Sequence, residues 1–200
     1  MPSLLAFYQT EVPEAGIDEA GRGCYAGPVC AAAVILPIAF HHPLLNDSKQ
    51  LKEADRYALR PFIEEQALAW AVAMIDVKTI DRINILQATY RAMHQAVSKL
   101  TLQPGLLLVD GNRFRPMRCV PHRCMVKGDA TYASIAAASI LAKTYRDDLM
   151  VQLHEAYPHY RWNENKGYGT EAHRKAIAEY GLTQHHRRSF RIGGEQIELF

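Results

Sequence analysis

The sequence predicts an α/β protein, a mixed sheet covered by helices, on three observations. Strand-like segments are grouped early, at 14–20, 28–37 and 67–77. A further apolar run, "LLLVDG", is bounded by turn signals and reads as a buried central strand. Two long segments, 80–100 and 128–158, instead carry helical periodicity. Early strands followed by strand–helix alternation fit helices packed on a mixed sheet.

Taken in order, "AGIDEAGRG" ends the first strand at 14–20, and "PVCAAAVILP" forms the second. The polar stretch "NDSKQLKEADRYALRPFIEEQ" becomes helical in its second half, and "ALAWAVAMIDV" is the third strand. Ile83, Leu86, Tyr90, Met93 and Val97 define one amphipathic helix over 80–100, stopped by "QPG". After "LLLVDG" comes a short strand around 119–126. A long helix then opens at Gly128-Asp129, with an inward stripe of Ile135, Ala138, Ala142, Tyr145, Leu149 and Leu153 and Pro158 just past its end. One glycine-bounded helix and a tail complete the chain. We expect a single domain over 1–192 and a flexible tail at 193–200, uncoupled by Gly193-Gly194.

Two hundred residues, 48% of them hydrophobic and 22% charged, suit one soluble domain with a real core. The stretch "VCAAAVILPIAF" is too short and too Pro-interrupted to span a bilayer. The N-terminus has no basic n-region or cleavage pattern, so we expect a cytoplasmic protein without a membrane role. Cys119, His122 and Cys124 resemble half a zinc site, but no second half follows, and reduced thiols are the expectation. Net charge is +2, yet residues 1–110 hold 9 Lys+Arg against 12 Asp+Glu and residues 111–200 hold 14 against 9. A basic second half is compatible with a polyanionic partner.

Four acids stand where apolar structure ends. Asp18 and Glu19 close the first strand, Asp110 closes "LLLV", and Asp129 opens the long helix. Converging carboxylates without histidines suit hard divalent cations such as Mg2+ or Mn2+. Neighbours on a strand point to opposite faces, so Asp18 and Glu19 share a site only if the strand breaks at Glu19. Blander roles stay open at each position. Asp129 could cap its helix, Asp110-Gly111-Asn112 could begin a turn, and Glu19 could be solvated. Asp147 lies about 27 Å along the helix from Asp129, too far to join them. Asp76 and Asp81 read as turn or capping residues.

The motifs "GIDEAGRG…AGPV", "NDSKQL", "LLLVDGN", "KGDATYASIAAASILAKTYRD" and "NKGYGT…H", in this order and spacing, resemble type 2 ribonuclease H, bacterial ribonuclease HII. The resemblance spans about residues 15–190. It implies a ribonuclease H-like fold, a five-stranded mixed sheet flanked by helices with a helical C-terminal part. It also implies catalytic, metal-binding roles for Asp18, Glu19, Asp110 and Asp129, holding two Mn2+ or Mg2+ ions. The implied reaction is endonucleolytic hydrolysis of RNA/DNA hybrids and of ribonucleotide-containing DNA on the 5′ side of the ribonucleotide, leaving 5′-phosphate and 3′-hydroxyl.

Substrate contacts follow from the same resemblance. Gly21 and Gly23 with Tyr168 would read the ribose, the glycines letting backbone approach its 2′-hydroxyl, and Arg22 would steady the loop or contact a phosphate. Ser48 and Lys49, with Arg187, Arg188 and Ser189, would hold the nucleic-acid backbone. A half-buried structural Tyr168 and a solvated basic face are the alternatives. Where the family often has Pro-Leu after "GRG", this chain has Cys24-Tyr25, which is expected to tune loop packing. "GYGT" in place of "GYPT" is expected to loosen the turn after Tyr168. The final Gln196–Phe200 resembles the short peptide by which replication proteins bind a DNA sliding clamp, and the protein is expected to be a monomer. A non-catalytic nucleic-acid-binding domain, or another two-metal nuclease of the superfamily, are the competing functions.

Overall fold

The computed structural model describes residues 4–45, 51–118 and 120–191. Five strands form one sheet: β1 (Glu14–Ala20), β2 (Val29–Ile35), β3 (Ala69–Ile75), β4 (Leu106–Asp110) and β5 (His122–Met125), in the order β3-β2-β1-β4-β5. β1 pairs antiparallel with β2 and parallel with β4; β2–β3 is antiparallel and β4–β5 parallel. The helices are α1 (Glu53–Gln66), α2 (Val77–Ile83), α3 (Ile85–Ser98), α4 (Ala133–Ala156), α5 (Trp162–Asn165) and α6 (Glu171–Tyr180). Among the described residues, no helix is long and apolar enough to cross a membrane.

The unbroken apolar run of β2 follows from burial on both faces. Val29, Ala31, Ala33 and Ile35 join Ile17 and Val109 in the core under α3, whereas Cys30, Ala32 and Val34 face α1 and α4. α4 packs tightly on β1 at Gly16, where a Cβ would stand 2.2 Å from the Ser134 carbonyl carbon. Only glycine opposite a small-residue helix start permits that approach, and it sets α4 against the end of β1.

Three expectations are corrected. The segment 80–100 is two helices, broken at Asn84 (φ 65°), whose side chain accepts from Gln87 N at 3.1 Å. The buried face of α3 is Ala88, Thr89, Ala92, Met93, Ala96 and Val97; Leu86 is exposed. Met93 and Val97 of the expected stripe are buried, Ile83 and Tyr90 pack partly buried against the same core, and alanines fill the rest of the face. Second, the long helix begins at Ala133 and not at Asp129, because Thr131 and Ala133 exchange backbone hydrogen bonds with Leu5 (2.8 and 2.9 Å). Gly128–Ala130 is a separate 3₁₀ turn. Third, the inward stripe rotates in the second half of α4, where Arg146 and Met150 are buried and Tyr145, Leu149 and Leu153 only partly so.

Candidate active site

β1 and β4 run parallel, with Ile17 opposite Val109, so Asp18 and Asp110 emerge side by side at the same end of the sheet. β1 does not break at Glu19, contrary to expectation: Glu19 and Ala20 continue pairing with Ala31 and Cys30 of β2. Its pairing with β4 stops at Ile17–Val109, and this leaves Glu19 beyond the end of its neighbour, within electrostatic reach of Asp110. The end of β4, and not a kink in β1, admits the second acid.

Asp18 is buried, at 6% exposure. Desolvation, then the negative charges of Glu19 and Asp110, hold its carboxyl well above the usual carboxylate range, against a hydrogen bond from Ser139 of α4 and one from Glu19 N (2.7 Å). Glu19 is also raised, by burial foremost, although Arg22 Nη1 donates to its Oε1 at 3.0 Å. Asp110 Oδ1 accepts from Gly128 N at 2.8 Å, and this draws the turn bearing the buried Asp129 to the end of β4. Tyr132, not Asp129, occupies the N-cap position of α4, so helix capping does not account for Asp129.

These groups fit a divalent cation by their chemistry. They are all-oxygen donors, crowded enough that burial and mutual repulsion oppose full ionisation. Among the described residues, no three Asp, Glu, His or Cys side chains stand as near one another as ion ligands do. Glu19 is held by Arg22 and Asp110 by the Gly128 amide.

Beyond Glu19 the chain enters a loop held by two buried arginines. Arg146 donates to the carbonyls of Pro28 (2.9 Å), Lys166 (2.8 Å) and Ala26 (3.0 Å). Arg187 donates to those of Gly27 (2.9 Å), Arg22 (2.9 Å) and Gly21 (2.7 Å), and its guanidinium lies 5.0 Å from the Phe190 ring centroid. Burial pushes the Arg187 guanidinium down to about 10. The expected phosphate contact is not what the structure shows: Arg187 is fully buried, and each of its three nitrogens donates to a loop carbonyl, so it shapes the loop from within. Sequence reasoning passed over Arg146 altogether, although it sits in the "KTYRD" motif. Its signal was a charged residue on the helical stripe of an otherwise buried segment.

The two loop glycines have different causes. Gly21 has φ 87°, and a Cβ there would stand 2.0 Å from Arg146 Nε. A Cβ on Gly23 would meet nothing within 4 Å, so internal packing does not demand that glycine. The Arg22 side chain is half exposed and pairs with Glu19.

Tyr168 stands beside this loop, 50% exposed, with its hydroxyl near the buried Cys24 thiol. A histidine pair anchors its backbone. Trp162 Nε1–H can only donate, so His173 Nε2 is the acceptor (3.1 Å) and His173 Nδ1–H donates to Tyr168 O (2.9 Å). His186 Nδ1 accepts from Thr183 N (2.9 Å), so its Nε2–H shares the one lone pair of His173 Nε2 with Trp162 (3.1 Å). Burial lowers both pKa values, His186 to about 3, so both rings are neutral. These histidines carried no periodic signal in the sequence.

Arg188 and Ser189 lie on an exposed turn secured by Asp81. Its carboxylate accepts from Arg188 N (3.1 Å), Ser189 N (3.0 Å) and Ser189 Oγ (2.6 Å). The Ser189 hydroxyl is thereby engaged within the protein, while the Arg188 side chain remains exposed. Ser48, Lys49 and the Gln196–Phe200 tail lie outside the described residues. Cys24, Cys30 and Cys124 are free thiols.

A mixed five-stranded sheet with acids at the adjoining ends of β1 and β4 defines a ribonuclease H-like nuclease scaffold. The chain belongs to the ribonuclease HII family, whose description "Ribonuclease HII" matches residues 15–192. It is 59% identical to "Ribonuclease HII" of Bacteroides thetaiotaomicron, covering 98% of both chains. It is 55% identical to that of Porphyromonas gingivalis, covering 94% of both. Among solved structures it resembles ribonuclease H2 of Pyrococcus horikoshii (TM-score 0.73, 25% identity, 90% of this chain and 94% of that one). It also resembles the ribonuclease HII of Archaeoglobus fulgidus solved in a PCNA complex (TM-score 0.75, 24% identity, 93% and 98%). A third likeness is to a Bst ribonuclease HIII solved with Mn2+ (TM-score 0.66, 21% identity, 88% and 64%).

Replacing Arg187 by Ala leaves three loop carbonyls without their donor and is expected to cost about 3 kcal/mol or more of stability. Urea unfolding checks this; a direct phosphate ligand would instead leave the unfolding midpoint unchanged.

Proposed function

We propose that this chain is an endoribonuclease that hydrolyses the RNA strand of RNA/DNA hybrids. It also cuts on the 5′ side of ribonucleotides embedded in duplex DNA, leaving 5′-phosphate and 3′-hydroxyl ends. The observation that carries this reading is the strand register that brings Asp18, Glu19 and Asp110 to the adjoining ends of β1 and β4, in a chain of the ribonuclease HII family. Asp18, Glu19, Asp110 and Asp129 would hold two divalent cations, Mn2+ or Mg2+. When bound, such a pair stabilises charge on the attacking and departing oxygens of phosphodiester hydrolysis.

The protein's own groups prepare that site. Ser139 and the Glu19 amide orient the Asp18 carboxylate, Arg22 holds Glu19, and the Gly128 amide holds Asp110. The clear space at Gly23 and the exposed ring of Tyr168 support a ribose placed between loop and tyrosine, with Gly21 and Arg22 completing the loop. The exposed Arg188 is available to the nucleic-acid backbone. We place the enzyme in the cytoplasm, as a monomer of one domain over 1–192. The resemblance of Gln196–Phe200 to a clamp-binding peptide supports a sliding clamp as partner. Deleting residues 195–200 should abolish clamp binding measured by calorimetry while sparing cleavage; retained binding would refute the tail's role.

The catalytic reading is tested with DNA duplexes carrying one ribonucleotide or none, in Mg2+, Mn2+ and EDTA. Cutting should require both the ribonucleotide and the cation. Asp18→Asn should reduce it roughly 10²–10³-fold, the scale of removing one preorganised electrostatic group. Its melting temperature in EDTA should be no lower than wild type, because a repelled charge is removed. Metal-independent cutting, or full activity in Asp18→Asn, contradicts the assignment.

A further inference from the structure

The two places where this chain departs from the pattern it resembles, Cys24-Tyr25 and Gly169, touch each other. A Cβ on Gly169 would stand 2.3, 2.5 and 2.9 Å from Cε2, Cζ and Cδ2 of Tyr25, all three atoms in one ring. The backbone of Gly169 lies outside the left-handed region, so no dihedral demands glycine there. Space does. The Tyr25 ring fills the position that a side chain at 169 would take.

Tyr25 is well placed to transmit position. Its amide donates to Gly167 O (2.8 Å), and its carbonyl accepts from Arg187 N (2.8 Å). Tyr25 packs against the core cluster that contains Met150, Tyr160 and Trp162, and its ring lies 6.2 Å from the His173 ring. The turn it braces is itself pinned: Tyr168 N donates to Asn165 O (2.8 Å), Thr170 N to Tyr168 O (2.8 Å), and Arg174 Nη1 to Gly169 O. The expected loosening after Tyr168 is therefore offset by an aromatic wall from the opposite loop. One residue upstream, Cys24 neighbours the Tyr168 hydroxyl. Residues 24 and 25 thus lie near the tip of Tyr168 and against the residue after it.

We propose that Tyr25 is a positioning residue for ribonucleotide recognition. Its ring, admitted by the missing side chain of Gly169, fixes Tyr168 against the Gly21–Gly23 loop. This rests on the reading of Tyr168 as a ribose contact. A purely structural Tyr25 would influence melting alone, whereas a positioning Tyr25 changes catalysis through Tyr168.

The test measures kcat/KM on a duplex with one ribonucleotide in Mn2+, together with melting temperature. The variants are Gly169→Ala, Tyr25→Ala, their double, Tyr168→Ala, and Tyr168→Ala/Gly169→Ala. Gly169→Ala should lower kcat/KM roughly tenfold, since displacing a contact by about 1 Å can cost up to about 10²-fold. In the Tyr25→Ala background the same change should cost less than about twofold, because the ring it strikes is gone. In the Tyr168→Ala background it should likewise be nearly silent. An unaffected Gly169→Ala, or an equal loss in either background, overturns the proposal. Full activity of Tyr168→Ala overturns the ribose reading and the proposal with it. A harmful Tyr168→Ala beside a harmless Gly169→Ala overturns the pairing alone. Melting temperatures show whether any loss is mere unfolding.

Discussion

Repulsion among Asp18, Glu19 and Asp110 is the constraint around which this end of the molecule is built. Burial and like charge both oppose ionising Asp18, and a polypeptide free to relax would turn these side chains to water. The fold prevents it. Asp18 is fixed between two strands on a sheet whose neighbour, β4, delivers Asp110 in register. Gly16 lets α4 press against β1, so that Ser139 reaches Asp18. Stability is given up locally to hold a charge pattern that a cation would complete.

The same economy governs the adjoining loop. Gly21–Pro28 forms no helix or strand of its own, so its carbonyls need donors, and Arg146 and Arg187 provide five of these hydrogen bonds between them, with a sixth from Arg146 to Lys166 O. Their planar forks reach several carbonyls from one side chain, which lysine does not. Through Lys166 O and the Tyr25–Gly167 bond, the loop and the Tyr168 turn are tied into one unit. Acids, loop and tyrosine are thus fixed relative to one another by groups that need never touch a substrate.

Much of this was legible in the sequence, for particular reasons. The boundaries of β1 coincide with the expected 14–20 because apolar character and acids end there together. Asp18, Glu19 and Asp110 were visible as charges terminating apolar runs. The start of α4 was not, because its delay depends on pairing with Leu5, a contact more than a hundred residues distant in the chain. The role of Arg187 was hidden for a related reason: a basic residue in "HHRRSF" reads as surface until the loop that buries it is seen. Glu19 comes within electrostatic reach of Asp110 through the length of the neighbouring strand, a property of pairing and not of its own segment.

The most direct test of the carboxylate account is the melting temperature in Mn2+ against EDTA across pH, for wild type and Asp18→Asn. In wild type the folded pKa of Asp18 lies above its unfolded value. Without a cation, its penalty on stability therefore grows as pH rises from the unfolded value through the folded one. Mn2+ should raise the melting temperature most where Asp18 would be ionised, and progressively less as pH falls and protons compete. Asp18→Asn should lose most of that gain. A Mn2+ effect that is absent, or equal in the two proteins at every pH, would contradict the claim that these acids form a cation site.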